Sequence, residues 1–259
     1  MSATLQQQPM LGTAKPRTGR SNTKQDSKFI GILDFASTVN RPVGDIANPS
    51  TSRWPLRYGL VNLPASSLGP SDGSLLSQQE VIEVAQGLVD QGACALASAH
   101  SEFGWFQKEL SQKFNIPIAT SALLQWRNLS TRMRKGKKLG ILTPRAHQLT
   151  TDYRERLNVP KDSDRCLVKE LSDPSLLEQA VTNNLTPTAL KHIRTELIEA
   201  VKSMQQNHPE LACVILESPY MSPYRAHISQ ATGLEIKDIC STIDALALAC
   251  GLRQSPQKK

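Results

Sequence analysis

The stretch Phe29-Ile30-Gly31-Ile32-Leu33-Asp34 is a short, unbroken apolar run that ends in a carboxylate. Such a run suits a strand buried on both faces of a parallel sheet. Leu139-Gly140-Ile141-Leu142-Thr143 and Leu211-Ala212-Cys213-Val214-Ile215-Leu216 read the same way later in the chain. Working outward from the first run, Arg57 to Val61 reads as a second strand, Ala93 to Ala97 as a third and Ile116 to Ala119 as a fourth. Between them, Gln78 to Gln91 puts Val81, Ile82, Ala85, Leu88 and Val89 on one helical face, with Ser77 as N-cap and Gly92 as stop. Glu102 to Phe114 is the next predicted helix.

The second half repeats the rhythm. A basic turn, Arg132 to Lys138, leads into the strand at Leu139. A helix over roughly Ala146 to Leu157, a strand at Cys166 to Val168 and a long helix from Thr186 to Gln206 follow, with Pro187 suited to the first helical turn. After Leu216 come a short helix from Pro223 to Ala231 stopped by Gly233, a last strand from Ile236, and a closing helix. Strand–helix alternation twice over predicts an α/β fold of two similar Rossmann-like halves, each a short parallel sheet flanked by helices, with the active-site cleft between them. The halves are placed at 28–125, completed by the C-terminal helix 240–252, and at 126–239, with basic tails at 1–27 and 253–259. In such sheets ligands bind at the carboxyl ends of the strands.

Composition narrows the function classes. With 259 residues and 39% apolar side chains, the chain can bury a core without disulfide or metal staples. No segment approaches the roughly 18 apolar residues of a membrane span, so no membrane association is expected. The net charge of +7 sits in the tails. Lys15, Arg17, Arg20, Lys24 and Lys28 face only Asp26, and Arg253, Lys258 and Lys259 face no acid, which leaves the body neutral. A phosphate-reading protein usually carries its charge on a folded face, so no nucleic-acid partner is expected. The cluster Arg132, Arg134, Lys135, Lys137 and Lys138 reads as a solvated connector.

Five cysteines, Cys94, Cys166, Cys213, Cys240 and Cys250, form no CxxC pair, which points to a reducing, cytoplasmic setting. The N-terminal segment lacks the apolar core of a secretory signal. His147, His192, His208 and His227 show no ligand spacing, so no metal is expected, and no cofactor-binding fingerprint such as GxGxxG or GxxxxGK[ST] occurs.

Several strand ends resemble those of the aspartate/glutamate racemase superfamily, whose relatives include hydantoin racemases, maleate isomerases and arylmalonate decarboxylases. The stretch from Gly31 to Tyr58, with Arg41-Pro42-Val43-Gly44-Asp45-Ile46-Ala47-Asn48-Pro49 inside it, resembles that family's opening. Ala97-Ser98-Ala99-His100-Ser101 with Trp105-Phe106-Gln107 is similar to its "TTSCGF…FQ" segment, and Ile118 to Gln125 to "VFTSSLLQ". Leu139 to Thr143 is similar to "VGILT", and Ile215 to Tyr224 to "VLECTNMPPY". The resemblance implies a cofactor-free enzyme, possible homodimers, a small carboxylate substrate, and proton transfer beside that carboxylate by one cysteine from each half. Thiols suit the task because a pKa near about 8.5 makes both protonation states reachable.

The chain departs from that pattern at both thiols. His100 stands where the first cysteine belongs and Ser218 where the second belongs. Cys94 and Cys213 lie six and five residues earlier in their strands and read as small core residues. Imidazole, with a pKa near about 6.5, is a competent acid/base, while a serine hydroxyl is a poor base but a good hydrogen-bond donor. One acid/base facing one donor fits decarboxylation, isomerisation or elimination better than two-base racemisation; a Ser–His nucleophile pair is a further possibility. The expected catalytic residues are therefore His100 and Ser218. Asp34, Ser98, Ser101, Thr120, Ser121, Pro219 and Tyr220 are the expected substrate-binding residues, Ser101 and Ser121 reading equally well as helix caps. The reading implied is a diverged, cofactor-independent isomerase- or lyase-like enzyme, in specialised metabolism; the alternative is a racemase-fold protein that has lost catalysis and keeps a binding or scaffold role.

Overall fold

A computed structural model of the chain describes residues 28–36, 41–62, 75–160, 163–173, 177 and 186–254. The expected tail 1–27 and residues 255–259 lie outside them. The first half contains β1 (Phe29–Phe35), β2 (Leu56–Val61), α1 (Leu75–Asp90), β3 (Ala93–Ser98), α2 (Gln107–Lys113), β4 (Ile118–Ala119) and α3 (Trp126–Arg132). The second contains β5 (Lys138–Thr143), α4 (Thr151–Arg156), β6 (Cys166–Glu170), α5 (Pro187–Asn207), β7 (Leu211–Leu216), α6 (Arg225–Thr232) and β8 (Glu235–Lys237), and α7 (Ile239–Ala249) follows. Each half is a four-stranded parallel sheet, ordered β2-β1-β3-β4 and β6-β5-β7-β8, so the chain has the α/β architecture its apolar runs predicted.

The two sheets repeat in detail. β1 pairs with β3 through Leu33↔Ser98, and β5 with β7 through Leu142↔Leu216. Both pairings carry a register shift at the same point, between Phe29 and Ile30 and between Lys138 and Leu139. Gly31 and Gly140 match as well. A Cβ on Gly31 would stand 3.0 Å from Leu88 of α1, and one on Gly140 would stand 2.7 Å from Met204 of α5. In each half the central strand lacks a side chain where its long helix crosses closest.

The pleat sorts the strand residues into layers. Ile30, Ile32, Ala95 and Ala97 from the first sheet join Leu139, Ile141, Cys213 and Ile215 from the second in one shared core. Phe29, Leu33 and Leu96 turn outward under α1 and α2, and Leu142, Val214 and Leu216 turn outward under α5 and α6. Each large aliphatic side chain buried this way contributes roughly 1.5–3 kcal/mol. Ile243 and Ala247 of α7 pack into the shared core, so the last helix closes against both sheets. Its start is fixed by a capping box in which Asp238 accepts from Ser241 N at 2.8 Å.

Four predicted helices differ from expectation; the one predicted over Ala146–Leu157 is a 3₁₀ turn, Ala146–Gln148, followed by α4, Thr151–Arg156. The single helix predicted over Glu102–Phe114 is a 3₁₀ segment, Ser101–Phe106, followed by α2. The helix predicted from Pro223 likewise begins as a 3₁₀ segment, Pro219–Tyr224, which turns into α6 and ends at Gly233 with φ +71°. The helix beginning near Gln78 starts at Leu75, which puts Ser77 inside it rather than at its cap. Helix α3 was not expected; it forms as Trp126 buries its indole in the shared core.

Candidate active site

Alternation along the strands decides what reaches the seam between the halves. Asp34 follows Ile30 and Ile32 on the inner face of β1, and Thr143 follows Leu139 and Ile141 on that of β5. Beyond β7, Glu217 continues the inward series Cys213, Ile215. These side chains meet at the carboxyl ends of the strands, where an α/β sheet places its chemistry.

His100 and Ser218 head the two 3₁₀ segments. Nε2 of His100 lies 3.0 Å from Oδ1 of Asp34, so the imidazole of one strand end is held by the carboxylate of its neighbour. The ring is also gripped edge-on by Phe35 at 4.6 Å and by Tyr220, from the second half, at 5.9 Å. Among the described residues no hydrogen bond joins Ser218 to His100, so the geometry does not build a Ser–His nucleophile pair. His100, Ser101, Ser218, Pro219 and Tyr220 border one cavity of about 60 Å³. That space holds about two waters.

The remaining expected contacts go elsewhere. Ser98 is fully buried and donates to the carbonyls of His100 and Thr120, the former at 2.9 Å. Thr120 donates to Gln107 Oε1 at 2.7 Å, and Ser121 accepts from Leu123 N at 3.2 Å as a cap. Of the three hydroxyls, Ser98 alone bonds the backbone of His100, and none borders the cavity.

Residues not singled out beforehand complete the site. Glu102, Arg145 and Glu217 border the same cavity. Glu217 is 7% exposed, and Thr143 donates to its Oε2 at 3.2 Å. Burial pushes its carboxyl up to about 7, with the negative charge of Glu102 adding to the shift and the hydroxyls of Ser101 and Thr143 opposing it. Alternation in β7 was the signal for it.

Two arms lock the halves together around this point. From the segment after β1, Arg41 lies over the Tyr220 ring at 3.7 Å and is paired at 2.6 Å with the fully buried Asp45. From α4, Tyr153 crosses the other way to donate to Ser101 O at 2.6 Å, its ring lying against Gly104, and Arg156 bonds Trp105 O at 2.9 Å. A larger cavity of about 450 Å³ lies between residues 44–54 and α7, with Asp238 at the end of β8 in its lining and neither His100 nor Ser218 bordering it.

No protein-family model matches the chain. The dimethylsulfoniopropionate lyase of Durusdinium sp. clade D is 21% identical over 242 residues, spanning 90% of this chain and 78% of that protein. Among solved structures, the aspartate racemase of Picrophilus torridus superposes with a TM-score of 0.57 at 13% identity, over 88% of this chain and 96% of that one. A glutamate racemase of Bacillus anthracis gives 0.56 at 17% identity, over 87% and 84%. The chain has the racemase fold. At such identities the likeness is one of architecture, and function rests on the site itself. Among the described residues no group of three or more His, Cys, Asp or Glu side chains is arranged to hold a metal ion, and no helix is long and apolar enough to cross a membrane.

Proposed function

We propose that the chain is a member of the aspartate/glutamate racemase superfamily that has diverged from two-thiol chemistry. In this reading it is a cofactor-independent enzyme that moves a proton beside the carboxylate of a small metabolite. The observation that carries the reading is the 3.0 Å contact that Asp34 makes with His100, which borders the same cavity as Ser218. In the tautomer that donates Nε2–H to Asp34, Nδ1 keeps its lone pair, and the carboxylate stabilises the imidazolium formed when that nitrogen takes a proton. Ser218 donates to a substrate oxygen as negative charge builds there. A single strong base suits elimination, decarboxylation or double-bond isomerisation, in which one face of the carbon does the work. The similarity to a lyase favours elimination: His100 takes the proton next to the carboxylate, the electron pair forms the double bond, and the group on the adjacent carbon leaves.

Five free cysteines fit a reducing, cytoplasmic setting, and the loss of both catalytic thiols fits a branch specialised away from D-amino-acid supply. The test is proton exchange in D₂O followed by NMR, with malonates, maleates, amino acids, hydantoins and sulfonium propionates as substrates. Exchange or elimination with at least one of them, abolished in His100→Ala, is the expected result. Turnover unchanged in His100→Ala, or no turnover of any member, sinks the reading.

A further inference from the structure

The proton economy of the cleft contains a second group. We propose that Glu217 is the general acid of this site, delivering a proton to substrate from the second half while His100 removes one from the first; the proposal rests on the proton-transfer reading above and names the partner that reading lacks.

The argument begins with placement. Glu217 immediately precedes Ser218, and its amide is tied to Leu142 O at 2.9 Å, which anchors the residue to the neighbouring strand. It borders the same cavity as His100, so the two proton-handling groups reach one small volume from opposite halves. The pairing is asymmetric. At the end of β1 stands Asp34, bonded to the imidazole; at the matching end of β5 stands Thr143, a neutral hydroxyl that donates to Glu217. The first half thus holds its imidazole in a 3.0 Å contact with a carboxylate. The second half holds its carboxyl buried beside the like charge of Glu102, which favours keeping a proton.

The neighbours sustain this division. From the 3₁₀ segment Ser101–Phe106, Glu102 adds like charge and Ser101 a hydroxyl; from α4, the buried Tyr153 phenol stays neutral because burial pushes its ionisation well up. Arg145, in the turn after β5, also borders the cavity. A carboxyl held near half-protonation around neutral pH meets the requirement of a general acid, a pKa close to the working pH. The step balances without outside reagents. In an elimination or isomerisation His100 Nδ1 gains the proton from carbon, and Glu217 gives its own to a leaving group that departs as an anion or to the new carbon position, whereas a sulfonium group leaves as neutral sulfide and takes none. In a decarboxylation CO₂ leaves, His100 takes no proton and Glu217 protonates the carbanion left behind. Solvent then restores both groups.

Two measurements on the full chain test this. The first needs no substrate: infrared difference spectra across neutral pH on wild type and Glu217→Gln. A protonated-carboxyl carbonyl band that titrates near neutrality in wild type and is missing in Glu217→Gln is expected; a wild type without such a band overturns the proposal. The second takes the substrates that wild type turns over. Glu217→Gln is expected to lower kcat about 10²–10⁴-fold and to remove the alkaline limb of the pH profile, with Glu217→Asp restoring part of both. Wild-type kcat and pH profile in Glu217→Gln, with His100→Ala inert, overturn this proposal and leave the Proposed function standing. A wild type that moves no proton on any substrate sinks both.

Discussion

His100 and Ser218 occupy equivalent points in the two halves. Each lies seven residues beyond the first residue of its strand, β3 or β7, and each heads a six-residue 3₁₀ segment that continues into an α-helix. The backbone thus presents two identical strand ends to one cleft, and only the side chains break the symmetry. Everything that distinguishes an elimination from a two-base racemisation in this fold comes down to what those equivalent positions and their neighbours carry.

The donor role of Ser218 predicts a loss confined to chemistry. Its hydroxyl caps nothing in its own 3₁₀ segment, so removing it leaves the fold unstressed. Ser218→Ala should lower kcat about 10²–10³-fold, the usual loss for one donor to a developing oxyanion, with an unchanged melting temperature. A variant with wild-type kcat assigns Ser218 to packing alone.

In the proposed reaction Asp34 acts through the imidazole it contacts at 3.0 Å. Its Oδ1 also accepts from Phe35 N at 2.9 Å, so the carboxylate is fixed before it meets His100. Asp34→Asn keeps the shape but removes the charge that stabilises an imidazolium. Steady-state kinetics should show kcat falling roughly 10²–10⁴-fold with KM little changed. A large rise in KM at constant kcat would instead make Asp34 a substrate-binding residue.

Glu217 should leave a mark on stability as well as on rate. In the unfolded chain its carboxyl ionises near 4.5, whereas in the fold burial holds it up to about 7. Between those values the folded state binds the extra proton, so stability falls as pH rises through that window and levels off above it. At about 1.36 kcal/mol per unit the loss is roughly 3 kcal/mol. Urea denaturation of Glu217→Gln should lack this fall and exceed wild type at mildly alkaline pH. Parallel curves for the two proteins would mean that Glu217 is ionised throughout.

Which parts of this were legible beforehand follows from what periodicity reports. Parallel strands announce themselves as short apolar runs, and Leu211–Leu216 was bounded correctly from sequence alone. The 3₁₀ segments were not distinguished from α-helix, because both begin after the same kind of turn and present the same early residues. At the site, Ser98, Thr120 and Ser121 stand at strand ends as expected, but a buried hydroxyl there satisfies backbone groups first. Glu217 is readable from the alternation Cys213, Ile215, Glu217, but the family resemblance points to the next residue, Ser218, where the thiol is missing. Contacts such as Tyr153 with Ser101, 52 residues apart, leave no local trace in sequence.

The arm after β1 offers a test that joins fold to site. Gly44 has φ +104°, and a Cβ there would stand 2.7 Å from Cα of Pro223, a backbone atom that cannot rotate away. Pro223 lies in the 3₁₀ segment that carries Tyr220, whose ring sits between Arg41 and His100. The loop itself has little room to yield, since Gly44 N donates to Thr51 at 2.9 Å and Asn48 donates to Arg41 O at 2.8 Å. Gly92 is the control, with φ +96° and nothing within 4 Å of its missing Cβ. Gly92→Ala should cost only the left-handed backbone penalty, about 1–2 kcal/mol, and leave turnover intact. Gly44→Ala adds an overpacking cost of about 1–3 kcal/mol and, by pushing the Tyr220 segment away from His100, should slow turnover too. Equal losses of stability in urea for the two variants, with both fully active, would show that the arm does not brace the site.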